Sequence, residues 1–328
     1  MPWRGTRDPY RIWVSEIMLQ QTQVQTVLPY YPAFLRRFPT VAALARAPLD
    51  QVLAAWSGLG YYRRARHLHQ AAARVVRDHG GHVPRDPESF GALPGVGRYT
   101  TGAVLSIAFD RALPVLDGNV ARVLSRLGAV PAAIRDPGGA RRLWELAGSL
   151  VPMRAPGDWN QALMELGATV CVARAPRCET CPVARWCRAR ARGRPEAFPP
   201  AHPRRPAVRL RRAVVLIRKR GRLLMIRRHG SLLEGLWEPP GVDLAQDADA
   251  RRRLRPLMAR LGVGGRVRDT GRRVSHTITH RTIEVEVWSA APGDTMAHQG
   301  RWVDVDRTQV GITALAARLS QIHDRRAE

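Results

Sequence analysis

The sequence predicts two domains of different class, an all-α domain followed by an α+β domain. Three observations carry this. Residues 10–187 hold apolar positions at helical spacing, cut into short runs by Pro and Gly. After residue 212 the pattern changes to β-branched, alternating segments. Between the two, residues 188–212 hold nine arginines, five prolines and one acid, a composition that suits an extended, charged connector and not a packed element. At 328 residues the chain is long enough for two cores.

Taken in order, helices are expected over 10–28, ended by Pro29, and over 40–47 and 49–57, parted by Pro48. The next runs over 63–79 and stops at Gly80-Gly81; 99–109 follows the Gly95/Gly97 turn and 119–127 follows Gly118. Helices over 139–150 and 159–170 complete the first domain ahead of the cysteines. Strands are expected over 213–217, 223–226, 277–278 and 282–288, with one helix near 248–261 and a closing one over 313–322. The domain boundaries read from this are 1–190, a basic Pro-rich linker over 191–210, and 211–324.

The formal charge of +26 is spread over the chain and peaks in its middle. Basic side chains outnumber acidic ones by 23 to 13 over 1–187, nine to one over 188–212, and 21 to 13 over 213–328. Lys219 is the sole lysine, so an arginine-rich composition explains Arg over Lys, though not the shortage of acids. Such a field favours a polyanionic partner, nucleic acid first. No apolar run approaches the ~20 residues that span a bilayer, and the N-terminus is too polar for a secretory signal. No membrane association is expected, and the cytoplasm is the expected compartment.

Cys171, Cys178, Cys181 and Cys187 are the only cysteines and stand as C-x6-C-x2-C-x5-C in one 17-residue window. Four thiolates so close suit one metal centre and leave none for a disulfide. A tetrahedral structural zinc site would use them; so would an iron–sulfur cluster. Either implies a reducing compartment.

LPGVGRYTTGAVL at 93–105 places Gly95 and Gly97 in a turn between helices, where backbone N–H groups can approach a phosphate closely. An ordinary helix–turn–helix connection reads the same way. Glu16 shares a helix face with Ile12, Trp13 and Leu19; burial there would favour the protonated form that a general acid needs. A rotated helix would leave it solvated. Asp117 opens DGNVARVLSRL, where Asp is commonly just an N-cap, yet the helix dipole there also keeps a carboxylate ionised. A protonated acid beside a fixed anion is the pair that cleaves a glycosidic bond through an oxocarbenium-like state.

The segments PWR (2–4), SEIMLQQTQV (15–24), GLGYYRRAR (58–66), LPGVGRYTTGAVLS (93–106), LDGNVARVL (116–124), NQALMELGA (160–168) and the cysteine loop resemble, in order, those of the MutY adenine DNA glycosylases. The resemblance covers essentially the whole chain. It implies a helix-hairpin-helix glycosylase domain with a 4Fe-4S cluster loop over 171–187, followed by a Nudix-like α+β domain that recognises 8-oxoguanine. It implies hydrolysis of the bond that holds adenine opposite 8-oxoguanine or guanine in double-stranded DNA, by a monomer. By the same resemblance Glu16 protonates adenine at N7, Asp117 stabilises the cationic sugar, and Tyr99 and Asn119 support both. Trp3, Arg4, Leu19, Val24 and Gln161 map to the pocket for the extruded adenine; Gln21 and Tyr61 map beside the 8-oxoguanine, with Leu59 near them. Extrusion is required because a stacked base hides its glycosidic bond.

Four departures from related patterns matter. Endonuclease III, a member of the same superfamily, carries lysine where Tyr99 stands, and its Schiff-base lyase needs that amine; here Lys219 lies beyond the linker, so a monofunctional glycosylase is expected. GLWEPPGV at 235–242 resembles the start of a Nudix fold, but the helix after it has arginines where Mg²⁺ would need carboxylates, so no pyrophosphohydrolase is expected. The lesion-recognition loop of the family contains Phe-Ser-His; Ser275 and His276 match it, with Val274 in place of the aromatic. The family also usually carries one more helix before Pro-Trp-Arg, and its lack here leads one to expect Trp3 and Arg4 to be poorly anchored.

Overall fold

The structure, a computed structural model, describes residues 1–131, 135–200, 206–229, 233–263, 266–278, 280–292, 300–305 and 310–322. Residues 201–205 of the expected linker and the end of the expected second domain, 323–324, lie outside these. The chain packs as two compact units, one of residues 1–46 and 67–203, the other of 47–66 and 204–328.

In the first unit, α1 (Pro9–Leu19) starts at Asp8, whose carboxylate accepts the amides of Tyr10 and Arg11. The single helix expected over 10–28 is in fact two. The chain breaks at Gln21, held in the left-handed region at φ +56°, and resumes as α2 (Val24–Arg37). That helix runs through Pro29 and Pro32 because Val27, Tyr31 and Phe34 recur at helical spacing and are buried, outweighing the hydrogen bonds the prolines forfeit. Next come α3 (Val41–Arg46), then α4 (Leu49–Ala55) in the second unit, and α5 (Arg63–His79), which crosses from the second unit into the first. The first unit is completed by α6 (Pro87–Gly91), α7 (Arg98–Phe109), α8 (Gly118–Gly128), α9 (Pro137–Leu150), α10 (Pro156–Thr169) and α11 (Arg188–Ala191). α7 lies between α1 and α10, and α10 also packs on α8. Val120, Val123, Leu124, Leu143 and Leu163 close the core between α8, α9 and α10.

The stretch after the cysteines is more ordered than an extended connector. α11 folds within it, and Phe198 is buried against Ala129 and Ala189. The Phe198 carbonyl also accepts from Arg126 at 3.0 Å, and Glu196 accepts the amide of Ala175 at 2.6 Å.

Among the described residues the second unit is built on a seven-stranded sheet: β1 (Val208–Lys219), β2 (Arg222–Arg227), β3 (Trp237–Glu238), β4 (Gly241–Leu244), then, after α12 (Ala250–Arg260), β5 (Arg268–Ile278), β6 (Arg281–Ala290) and β7 (Gly300–Val303), followed by α13 (Ala314–Ser320). The path runs β3-β2-β1-β6-β5, with β4 on β1 and β7 on β2; β1 and β6 are parallel. Alternation along β1 sends Val214 and Leu216 to the face covered by α13, and Ala213, Val215 and Ile217 to the face covered by α12. Because both faces are covered, the strand reads as an unbroken apolar run. β5 starts nine residues earlier than the expected 277, because its Arg-rich first half has little apolar content to mark it.

Candidate active site

Glu16 stands on α1 beside Ile12, Trp13 and Met18, and only 6% of it reaches solvent. Burial lifts its carboxyl to about 7; the hydrogen bond from Tyr99 opposes the rise, the charge of Asp117 adds to it, and Arg4 opposes it. Tyr99, on the first turn of α7, donates its hydroxyl to Glu16 Oε2 at 2.8 Å, and the phenol oxygen lies 3.2 Å from Met164 Sδ on α10. Burial, together with Glu16 and Asp117, holds the phenol well above its ordinary value, so it stays a donor. Asp117 caps α8 and accepts the amide of Val120 at 2.7 Å. Burial pushes its carboxyl up, against the pull of the Val120 and Asn119 amides. Asp117 is thus at once the N-cap of α8 and a buried carboxyl facing the site.

Asn119 Oδ1 accepts from Arg122 Nη2 at 2.9 Å, and Arg122 also donates to the carbonyls of Cys171 at 2.8 Å and Gly167 at 2.7 Å. One turn later Arg126, 2% exposed, donates to the carbonyls of Val172 (2.7 Å), Ala173 (3.0 Å) and Phe198 (3.0 Å), and lies 3.3 Å from Cys171 Sγ. α8 therefore carries the Asp117 end of the site and the cysteine loop on one rigid rod. Cys171, Cys178, Cys181 and Cys187 line one small common cavity together with Arg126 and Arg190. Around it Arg174, Arg177, Arg185 and Arg188 face solvent.

Contrary to expectation, Trp3 and Arg4 are anchored. Trp3 is buried edge-on to Tyr31 with ring centroids 5.3 Å apart, and Arg4 pairs with Glu165 at 3.2 Å. Leu19 ends α1, Val24 begins α2, and Gln21 is exposed on the bend between them. Gln161 is half-buried on α10. In the hairpin Gly95 is required: its φ is +74°, and a Cβ there would stand 2.5 Å from His67 Cβ. Gly97 is not required by conformation, since its backbone is extended and a Cβ would meet nothing within 4 Å. It caps α7 without a side chain, leaving first-turn amides of that helix open to an anion.

In the second unit Leu59 is buried while Tyr61, at φ +48°, is 45% exposed. Ser275 and His276 are not in a loop. They lie inside β5, opposite Glu284 and Ile283 of β6, with Val274 packed on the sheet core. The sequence there reads Ser-His-Thr-Ile-Thr-His, so a hydroxyl–His pair occurs twice; the paired register ends at Ile278 and Arg281, His280 lies between these strands, and residue 279 is outside the described ones. Glu238, in the GLWEPPGV segment, accepts from Arg212 at 2.6 Å and Arg228 at 2.7 Å.

The sequence reading missed Met164, Glu165, Arg122 and Arg126. The two arginines are four apart on α8, which puts them on one face, but in so arginine-rich a chain that spacing singles out nothing.

Comparison with known proteins identifies both domains. A profile described as HhH-GPD superfamily base excision DNA repair protein matches residues 14–149, and one for the NUDIX domain matches 212–321. Adenine DNA glycosylase of Homo sapiens is 37% identical over 96% of this chain and 69% of its own length. That of Mus musculus is 38% identical over 92% and 70%. Among solved structures, a thermostable thymine-DNA glycosylase superposes with a TM-score of 0.54 at 34% identity, covering 58% of this chain and 88% of the other. Two domain matches in this order, with that coverage of whole relatives, leave one assignment: the chain belongs to the MutY family of adenine DNA glycosylases.

Proposed function

We propose that this chain excises adenine paired with 8-oxoguanine or guanine from double-stranded DNA by hydrolysis alone. The observation that carries the reading is the buried Glu16, at about 7, hydrogen-bonded to Tyr99 and within electrostatic reach of Asp117. Near neutral pH a large share of Glu16 holds its proton and can give it to N7 of an extruded adenine. The C1′–N9 bond then breaks with its electron pair leaving on adenine, and the cationic sugar is stabilised by Asp117. Water forms the new bond at C1′, and its proton returns to the Glu16 carboxylate. Trp3, Arg4, Val24, Leu19 and Gln161 hold the adenine; Gln21 and Tyr61 stand beside the opposite base. The hairpin amides at Gly97 and the exposed arginines around the cysteine loop take the phosphate backbone.

A lyase step is left out because Tyr99 offers a phenol where an amine would be needed, and Lys219 lies on β1 of the second unit. The second domain acts by binding: Glu238 is taken up by two arginines, and α12 turns Arg251, Arg252, Arg253 and Arg255 to solvent, a poor set for a hard cation. Lesion recognition there is placed at the end of the β5–β6 hairpin, near Ile278 and His280, in preference to Ser275 and His276.

The four cysteines are assigned to a 4Fe-4S cluster. Four sulfurs around one shared cavity suit a centre whose several irons each take one thiolate. When bound, such a centre cross-links the loop, and Arg126 ties that loop to α8. The working species is proposed to be a monomer in the cytoplasm, where thiolates stay reduced.

Incubation with a duplex carrying one A:8-oxoguanine pair tests this. Free adenine should appear while the backbone stays intact until alkali is added. Immediate nicking, with a borohydride-trapped covalent complex, would contradict it.

A further inference from the structure

The turn over 57–62, which carries Leu59 and Tyr61, belongs to the same compact unit as the C-terminal sheet. Its backbone is unusual: Gly58 and Gly60 have φ of +102° and +70°, and Tyr61, with a side chain, has +48°. A bulky residue held there costs energy and persists only where its surroundings fix it. Here they do. Trp56 Nε1 donates to the Gly60 carbonyl at 3.1 Å, and Arg64 donates to the carbonyls of Leu59 and Gly60, each at 3.2 Å. The Arg64 guanidinium lies 5.4 Å from the ring centroids of both Trp56 and Tyr61. One hydroxyl completes the frame. Tyr62 Oη accepts the amide of Gly58 at 3.4 Å and donates to the carbonyl of Ile312 at 3.2 Å, and the residue is 6% exposed.

Ile312 is itself fixed. Its neighbours Gly311 and Thr313 bracket Trp237 of β3, with Trp237 N to Gly311 O at 2.9 Å and Thr313 N to Trp237 O at 3.1 Å. Gly311 has no room for a side chain, since a Cβ there would stand 2.6 Å from Leu53 Cβ on α4. Arg227 of β2 grips Asp50 of α4 through both carboxylate oxygens, at 2.7 and 2.8 Å. A continuous path thus leads from the sheet through Trp237, Ile312 and the Tyr62 hydroxyl to the backbone that sets Tyr61.

We infer that Tyr62 is a positioning residue for the opposite-base side of the reaction: its hydroxyl ties the Tyr61 turn to the C-terminal sheet, so the second domain sets the pose in which Tyr61 meets DNA. This rests on the proposed role of Tyr61 beside the opposite base. The occupant of the exposed ring is then a nucleobase of the duplex, whose π-face stacks on an aromatic backed by a cation.

A double-mutant cycle on the full chain, with a duplex carrying one A:8-oxoguanine pair, tests this. Tyr62→Phe keeps the buried ring and removes only the hydroxyl. It should weaken duplex binding about 3- to 10-fold, the range of one neutral hydrogen bond, with the loss in Kd or KM and not in kcat. On a Tyr61→Ala background the same change should cost nothing further, because nothing remains to be posed. A merely structural role would instead lower the unfolding midpoint of both backgrounds and add its loss to both. If Tyr61→Ala weakens binding while Tyr62→Phe is silent or additive, the inference is overturned and the proposed function stands. If Tyr61→Ala leaves binding of an active protein unchanged, the role given to Tyr61 falls, and the inference with it.

Discussion

Glu16 moves from an ordinary carboxyl value of 4.5 to about 7 on folding. Between those values the folded chain keeps a proton that the unfolded chain has released, so stability falls as pH rises through that window. Above it the cost is about 3 kcal/mol, at ~1.4 kcal/mol per unit. Glu16→Gln removes the titration and still accepts the Tyr99 hydroxyl. The variant should therefore be more stable than its parent in urea at pH 8, by up to that amount, with the gap closing towards pH 4.5; an equal gap at both pH values would contradict the assignment. Tyr99 pulls the other way, since its hydrogen bond favours the ionised form. Tyr99→Phe should slow adenine release and shift the falling limb of the pH–rate profile to higher pH, a shift that mere loosening of the site would not give. Of this, the apolar neighbours of Glu16 were legible from spacing alone. That Tyr99 reaches it was not, because 83 residues separate them and only the packing of α7 on α1 brings them together.

At the scale of elements, α8 links Asp117 at its N-terminus to the cysteine loop at its last turn. Arg126 does this with one planar fork that serves several carbonyls, a geometry lysine cannot copy. Arg126→Lys should lower thermal stability by roughly 3 kcal/mol or more, since buried carbonyls lose a charged donor, and should reduce iron and sulfide bound per chain; unchanged iron content would sever the link. The helices of the first domain were readable because Pro and Gly punctuate them, and β1, β2 and β6 because β-branched runs announce them, whereas β3, β4 and β7 were too short to read. Elements whose stability comes from tertiary contacts were hidden. α2 continues through two prolines on the strength of its buried face, and the connector packs through Phe198. That Ser275 and His276 lie within a strand was hidden for a related reason. A four-residue repeat in the sequence leaves two possible turns, and only the β5–β6 register chooses between them.

Over the whole molecule the arginine excess and the two-unit organisation decide how DNA is met. Among the described residues no helix is long and apolar enough to cross a membrane, and the exposed arginines of the cysteine loop suit phosphate pairing that releases counterions. Log affinity for a duplex should fall linearly with log salt, and Arg174→Gln with Arg177→Gln should flatten that slope by about 0.9 for each phosphate no longer neutralised; an unchanged slope would show that these side chains do not touch DNA. The charge was plain in composition, as was the change of class near residue 212. That residues 47–66 pack with the C-terminal sheet was not, since their helical period is the same whichever core they join.

The central claim is that a buried, protonatable Glu16 delivers the proton that frees adenine. The most direct measurement is single-turnover adenine release from an A:8-oxoguanine duplex between pH 5 and 9, for the parent chain and Glu16→Gln. The account expects the parent rate to fall as pH rises through about 7 and the Gln variant to bind the duplex while releasing no adenine. Release by the Gln variant at the parent rate, or a parent profile flat across that range, would contradict it.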